Sequence, residues 1–253
     1  MPNIKHIRGG EMILPNVSYC EDNNEVHYNP IETRLIAVYN ITNTSEPTSI
    51  VWNASGFTEI EIDGVKQPSV VTSYQFNTTG EHIVKYTLAD HTIIGEQTFA
   101  GITALVSVII PNGVTSIGNQ AFVGCTSSTN ITIPDSVTSI GNSAFEGCIS
   151  STSVTIGNGV TSIGASAFKS CSGLTSVTIP DSVTSIGGSA FMYCSNLSTI
   201  TSHIMNAPSV NGGTFAYVKS GGTLYVPIGS SGYETWMNDQ GNLGYYNWTK
   251  VEQ

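Results

Sequence analysis

Through the middle of the chain, apolar residues return in fixed columns rather than in the drifting pattern of an ordinary globular domain. Phe99, Phe122, Phe145, Phe168 and Phe191 follow one another at a constant step of 23 residues. Within each step, one column holds Val108, Ile131, Val154, Val177 and Ile200, and Ile110, Ile133, Ile156 and Ile179 follow two residues later. A spacing of two predicts a strand with one buried face. A second, shorter apolar pair predicts a short second strand, with Val114, Val137, Val160 and Val183 three residues ahead of Ile117, Ile140, Ile163 and Ile186. A glycine column (Gly118, Gly141, Gly164, Gly187), an Ala-Phe pair in a tight helical or 3₁₀ turn, and a cysteine column complete the unit. Pro111, Pro134 and Pro180, with Gly157 in one unit, end the first strand where a ladder donor can be spared. Units this short bury their apolar face only against a neighbour, so the pattern predicts a solenoid with one continuous core.

The flanks read differently. Residues 1–32 hold Gly9-Gly10, Pro15, Asp22-Asn23-Asn24 and Pro30 between short apolar runs, which predicts an extended arm with one strand around Met12–Tyr19. Five β-rich runs follow: RLIAVYNI (34–41), TSIVW (48–52), FTEIEI (57–62), SVVTSYQF (69–76) and EHIVKYTL (81–88). With Asp63-Gly64 and Thr79-Gly80 as turns and no helical period, they predict a small immunoglobulin-like β-sandwich over 33–90. After the units at 91–202, the phase slips at Thr214-Phe215, and residues 203–253 predict a capping unit. Its expected parts are a strand at TLYVP (223–227), a short helix at SSGYETWMNDQ (230–240) and a final strand in YYNWTKVEQ (245–253). A cap is required because an open solenoid end exposes core and unpaired backbone. The expected fold is therefore mainly β throughout.

Composition narrows the partners. Charged residues make up 10% of the chain, the net charge is −10, and only eight residues are basic. Neutralising phosphates needs a Lys/Arg patch, so neither nucleic acid nor an anionic membrane surface is an expected partner. No apolar run reaches the length of a membrane span. The N-terminus, Met1-Pro-Asn-Ile-Lys-His-Ile-Arg, lacks the roughly 7–15-residue apolar stretch of a signal peptide. Either a leader has been removed or the chain reaches an exterior location by another route, as a virion component does.

Cys125, Cys148, Cys171 and Cys194 share one column, and Cys20 lies outside it. A straight column cannot converge four thiolates on a zinc ion, and the ~4.8 Å rung spacing exceeds the usual Cβ separation of a disulfide. The expectation is buried thiols serving as core filler. Glu59, Glu61 and Asp63 share one strand face, but calcium needs roughly six or more oxygens from several segments, so a solvated strand face is expected. His6, His27, His82, His91 and His203 are dispersed, with no spacing that suggests a nucleophile, base and acid. No catalytic residue and no cofactor is expected. The eight Asn-X-Ser/Thr sequons, from Asn16 to Asn247, follow from composition and matter only in a glycosylating host.

The phrases LTSVTIPDSVTSIGGSAFMYC (174–194) and ITIPDSVTSIGNSAFEGC (131–148) resemble the 23-residue leucine-rich repeat of the BspA type, found in surface proteins of gut and oral Bacteroidales, treponemes and some protists. The resemblance covers roughly residues 91–253. It implies a curved leucine-rich-repeat solenoid with a parallel sheet on one face, displayed at a surface as an adhesin or binder, with no shared catalytic residues. The ending from Gly222 to Gln253 resembles the C-terminal unit of short repeat proteins of this type in gut Bacteroidales and their phages. The sequence departs from the pattern at Ser128 and Ser151, where Leu is expected, so two rungs should pack less well.

The outward positions of the first strand are hydroxyl-rich: Thr129, Thr152, Thr175 and Ser198; Asn130, Ser153, Ser176 and Thr199; Thr132, Thr155, Thr178 and Thr201. Between Phe99 and Ser202 the charged residues are Asp135, Glu146, Lys169 and Asp181. Such a face suits a polar, uncharged partner such as a glycan, and equally tiles well as plain strand surface. The candidate ligand-binding residues are Thr132, Thr155, Thr178, Thr201, Asn130, Ser153 and Ser176, with Tyr233, Trp236 and Trp248, which together with Tyr245 and Tyr246 form either a sugar-stacking platform or cap packing. The expected function is a non-catalytic display protein outside a bacterial cell or phage particle, recognising a host glycan or protein. The alternative is a structural decoration or fibre subunit whose repeats bind other subunits.

Overall fold

The computed structural model describes residues 34–238 and 241–253. The expected arm over 1–32, its strand and Cys20 lie outside the described residues.

Each repeat contributes one rung, and the rungs stack through three sides. The first strands, Asn130–Ile133, Ser153–Ile156, Ser176–Ile179 and Thr199–Ser202, continue into Thr223–Val226 and Thr249–Glu252 as a six-stranded parallel sheet. Their alternation of exposed and buried residues follows the period of two read from the sequence. The second strands, Ile93–Ile94, Ser116–Ile117, Ser139–Ile140, Ser162–Ile163 and Ser185–Ile186, form a five-stranded parallel sheet. On the third side, the Phe122 amide donates to the Ala144 carbonyl at 2.7 Å, and Phe145 and Phe168 repeat this to Ala167 and Ala190 at 2.8 Å. The Ala-Phe segment is a chain of tight turns rather than a helix. Left-handed residues on either side of it, Gln120 (φ 55°) and Gly124 (φ 70°) in one rung, stop helical propagation.

The glycine column is a close-approach requirement. A Cβ on Gly118, Gly141, Gly164 or Gly187 would lie 2.8, 2.6, 2.6 and 2.3 Å from backbone of the preceding rung. Inside, the Phe rings stack with centroids 5.2–5.6 Å apart, and Phe215 joins the stack although it arrives one residue late. Ser128 and Ser151 are buried where Leu105, Leu174 and Leu197 sit in other rungs. The Ser151 hydroxyl donates to the Ser128 carbonyl at 2.7 Å, so a hydrogen bond replaces the missing apolar contact.

Toward the N-terminus, a five-stranded antiparallel sheet runs in the order Val65–Lys66, Phe57–Ile62, Gly80–Leu88, Arg34–Ile41, Leu105–Ile109. Three of the expected strands form at nearly the expected bounds. TSIVW and SVVTSYQF shorten to a two-residue ribbon, Thr48–Ser49 with Ser73–Tyr74, because the Ile50 and Val51 amides both turn onto one carbonyl, that of Thr72. Asp63 and Gly64, both at positive φ, make the tight turn of the hairpin. The last strand of this sheet, Leu105–Ile109, belongs to the repeats. The sheet therefore crosses the expected boundary at 90 and shares one hydrophobic core with the rungs. Residues 33–253 form one compact unit.

At the other end, the helix expected over 230–240 is instead a single turn. The Trp236 and Met237 amides both donate to the Tyr233 carbonyl, and Leu243 then returns to the Trp236 carbonyl at 3.0 Å. The final strand, Thr249–Glu252, forms as expected.

Candidate functional site

Parallel pairing in strict register places like residues beside like. One outward row of the larger sheet runs Asn130, Ser153, Ser176, Thr199, Thr223, Thr249, and the next runs Thr132, Thr155, Thr178, Thr201, Tyr225, Val251. Asn130, Ser153, Ser176, Thr132, Thr155 and Thr178 are exposed, and Thr201 is half-buried. The structure thus brings seven of the ten candidate residues onto one face. It also extends the rows through Thr223 and Tyr225. The sequence signal for these two was the parity of TLYV, readable once its strand is aligned with its neighbour.

A second threonine column has another fate. Thr115, Thr138, Thr161 and Thr184 each donate to the carbonyl of the equivalent residue one rung back, at 3.0–3.2 Å. Those hydroxyls are consumed by the fold. The Thr132, Thr155 and Thr178 hydroxyls have no hydrogen-bond partner among the described residues. Exposed donors and acceptors that the fold does not use are what a hydrogen-bonding ligand requires.

The aromatic platform needs correction. Tyr233, Trp236 and Trp248 are all buried, at 3%, 0% and 5% exposure. Trp236 lies 5.2 Å from Phe215, closing the ring stack, and its Nε1 donates to the Pro208 carbonyl at 2.8 Å. The Trp248 indole covers Gly222, where a Cβ would come within 2.4 Å of the ring, and its Nε1 donates to the Lys219 carbonyl at 2.7 Å. The Tyr233 phenol donates to the Ile204 carbonyl at 2.8 Å and lies 2.6 Å from Ser202 Oγ, whose hydroxyl can donate to it. With ring faces and polar atoms all engaged inside, these three serve the cap and have no face left for a sugar.

Other chemistry-bearing groups resolve into struts. His82 Nδ1 lies 2.7 Å from Asp63 Oδ2, and Nε2 lies 3.0 Å from the Thr78 carbonyl and 3.4 Å from its hydroxyl. Both ring nitrogens are engaged by partners from separate segments, so the imidazole serves as a strut between them. The acids expected as a solvated face are cross-strand partners: Glu61 pairs with Arg34 and Lys85 at 3.2 and 3.3 Å, and Glu59 pairs with Lys66. Each column cysteine donates its thiol to the carbonyl of a phenylalanine in the preceding rung, at 3.1–3.4 Å. Burial pushes the Cys125 and Cys171 thiols up to about 12 and raises Cys148 and Cys194 well above the ordinary value, so all four stay protonated and unreactive at neutral pH. An open depression of about 400 Å³ sits where the smaller sheet ends, lined by Asp181, Val183, Thr184, His203, Ile204, Met205 and Asn206. No group of His, Cys, Asp and Glu suited to a metal ion occurs among the described residues.

The sequence profile described as BspA type leucine rich repeat region matches residues 92–220 in six copies. The chain belongs to the BspA-type leucine-rich repeat family. Six copies are one more than the five units marked by the constant step from Phe99 to Phe191, and a sixth phenylalanine, Phe215, joins the ring stack. Among solved structures, the chain is similar to the Treponema pallidum leucine-rich repeat protein TpLRR, with 27% identity, a TM-score of 0.43, and coverage of 53% of this chain and 67% of that one. It is also similar to the pneumococcal vaccine antigen PcpA (17%, TM-score 0.43, 57% and 40%) and to a Bacteroides ovatus leucine-rich repeat protein (24%, TM-score 0.36, 64% and 52%). It therefore spans about half or less of the length of the latter two. No match was found among curated proteins. No helix among the described residues is long and apolar enough to cross a membrane.

Proposed function

We propose that this BspA-type chain is a non-catalytic binding protein displayed on the outside of a bacterial cell or phage particle, where it recognises a host glycan or protein through its repeat face and its ends. The observation that carries this reading is the contrast between the two threonine columns. One is spent on rung-to-rung bonds, and the other lies in register on an exposed, almost uncharged face with its hydroxyls unused. Many weak hydrogen bonds from a regular array suit an uncharged ligand without a deep pocket. The antiparallel sheet at Arg34–Leu88 acts in this reading as an immunoglobulin-like spacer or anchor.

Light scattering after size exclusion, combined with retention on immobilised host glycans and matrix proteins, tests the proposal. A monomer that is retained, and that loses retention in Thr155→Lys/Thr178→Lys without change in Tm, supports it. A stable higher oligomer with no retention on either support overturns it in favour of a decoration or fibre subunit.

A further inference from the structure

A corner of the solenoid away from the hydroxyl rows carries a feature that neither folding nor the repeat pattern requires. Two residues after each stacked phenylalanine, the backbone is left-handed in every rung: Gly101 (φ 70°), Gly124 (70°), Gly147 (76°), Ser170 (60°), Tyr193 (63°) and Tyr217 (59°). Glycine takes this conformation at no steric cost, and the first three rungs show that the position needs no side chain. A bulky L-residue there is sterically strained. The last two rungs nevertheless carry tyrosines, and their rings are not used as core. Tyr193 and Tyr217 are 42% and 53% exposed, and they stack at 4.6 Å with planes 13° apart.

The row continues onto the cap. The Tyr217 ring lies 6.5 Å from Tyr246, whose phenol oxygen accepts from the Tyr217 amide at 2.7 Å and so ties the rings to the backbone. Tyr246 in turn packs edge-on against Tyr245 at 5.0 Å, and Tyr245 is 63% exposed. The result is a fixed strip of four tyrosines along the last rungs.

We propose that this tyrosine strip is a stacking platform for an uncharged glycan. Three features favour that occupant over a protein or an acidic sugar. The exposed rings of Tyr193, Tyr217 and Tyr245 together offer on the order of 300 Å², well short of the roughly 800 Å² per partner of a stable protein interface. The repeats leading to the strip carry four charged residues between Phe99 and Ser202, of which Glu146 and Lys169 pair with each other at 2.9 Å. A chain of net charge −10 disfavours an acidic sugar. Tyrosine supplies an apolar face for the C–H side of a pyranose and a phenol rim for its hydroxyls.

This proposal rests on the exterior-binding reading above, and one experiment separates the two. The full chain and the variants Tyr193→Gly, Tyr217→Gly and the double variant are applied to an array of uncharged glucose, mannose and galactose hexasaccharides, with sialylated glycans and matrix proteins as further spots, and Tm is measured in parallel. Because glycine is the residue the fold itself uses in this column, the variants should keep or raise Tm while binding to the uncharged hexasaccharides falls at least tenfold. Undiminished binding by the double variant overturns the proposal, as does binding of the parent chain to sialylated glycans or proteins alone; both results leave the exterior-binding reading in place. A parent chain retained by no spot overturns both.

Discussion

The two ends of the phenylalanine stack are closed by different means. At the first rung, Phe99 meets Tyr86 edge-on at 5.5 Å and Phe57 at 6.1 Å, both from the antiparallel sheet. The Tyr39 and Tyr86 phenols behind them lie 2.8 Å apart and both donate to the Ile50 carbonyl. The strand edge at this end is also covered, since Leu105–Ile109 pairs with Arg34–Ile41. At the last rung, Phe215 meets Trp236, which is held by turns rather than by a sheet, and the outermost strand, Thr249–Glu252, carries Lys250 and Glu252. One end is closed by joining the first long repeat strand to an antiparallel sheet, the other by a tryptophan lid and charges that discourage further strand addition. A solenoid can therefore be terminated by regular or by irregular structure, provided an aromatic ring covers the last exposed ring of the stack.

The largest effect expected from breaking this arrangement is at the lid. Trp236→Ala should cost about 3–5 kcal/mol, and hydrogen exchange should show protection lost first over residues 199–253 while the rungs nearer the antiparallel sheet stay closed. Equal loss at both ends would mean that the lid is no separate closure. Between the ends, Gly164→Ala forces a Cβ to 2.6 Å from the Gly141 backbone and should cost about 1–3 kcal/mol, seen as a lower urea midpoint with opening centred on the middle rungs.

Alkaline pH should stress the N-terminal closure. Burial raises the Tyr39 phenol well above its ordinary value and raises Tyr86 with it, as burial does for the four column thiols. The folded state thus keeps protons that the unfolded chain releases near pH 8.5–10. These groups leave stability unchanged below about pH 8 and lower it steadily as pH rises from about 9 toward 12. Calorimetry across that range should show Tm falling, and hydrogen exchange at high pH should show the tyrosine end opening no later than the tryptophan lid, where Tyr233 is raised by burial against the opposing effect of its bond to Ser202. A flat Tm to pH 11 would contradict this.

The smallest effects should differ in sign. Thr98 and Thr214 occupy the column that holds alanine in the intervening rungs, and both are buried. The Thr98 hydroxyl donates to the Gly95 carbonyl at 2.8 Å, whereas Thr214 Oγ1 has no partner among the described residues. Thr98→Ala should cost about 1 kcal/mol, and Thr214→Ala should gain up to about 1 kcal/mol. Matching signs in chemical denaturation would show that the hydroxyls do not matter at either end.

What the sequence disclosed depended on repetition. The buried columns at Ile131–Ile156, the glycine column and the buried thiol filler could be read from the 23-residue step, because each rung repeats the same test of the same position, while the close backbone approach behind the glycines could not. Single occurrences were harder. Trp236 and Trp248 look alike as exposed platform and as buried lid, since the cap has no period to assign an inward side. The pairing of Arg34–Ile41 with Leu105–Ile109 joins segments far apart in sequence that each read as ordinary strands. The two threonine columns differ only in whether a hydroxyl reaches the carbonyl one rung back, which depends on side-chain direction rather than on spacing. The tyrosines at 193 and 217 stood in the sequence as departures from a glycine column, visible only once the left-handed backbone at that position was known.

The three-sided bonding of each rung to its neighbours bears on how the chain would respond to load. A tether fixed at one end and drawn from the other pulls parallel strands apart edge by edge, so resistance comes one rung at a time. Single-molecule stretching should then give a train of similar low-force events, each lengthening the chain by about 80 Å for a 23-residue rung. The same ladder that gives the protein its regular face would let it yield to tension one rung at a time rather than all at once.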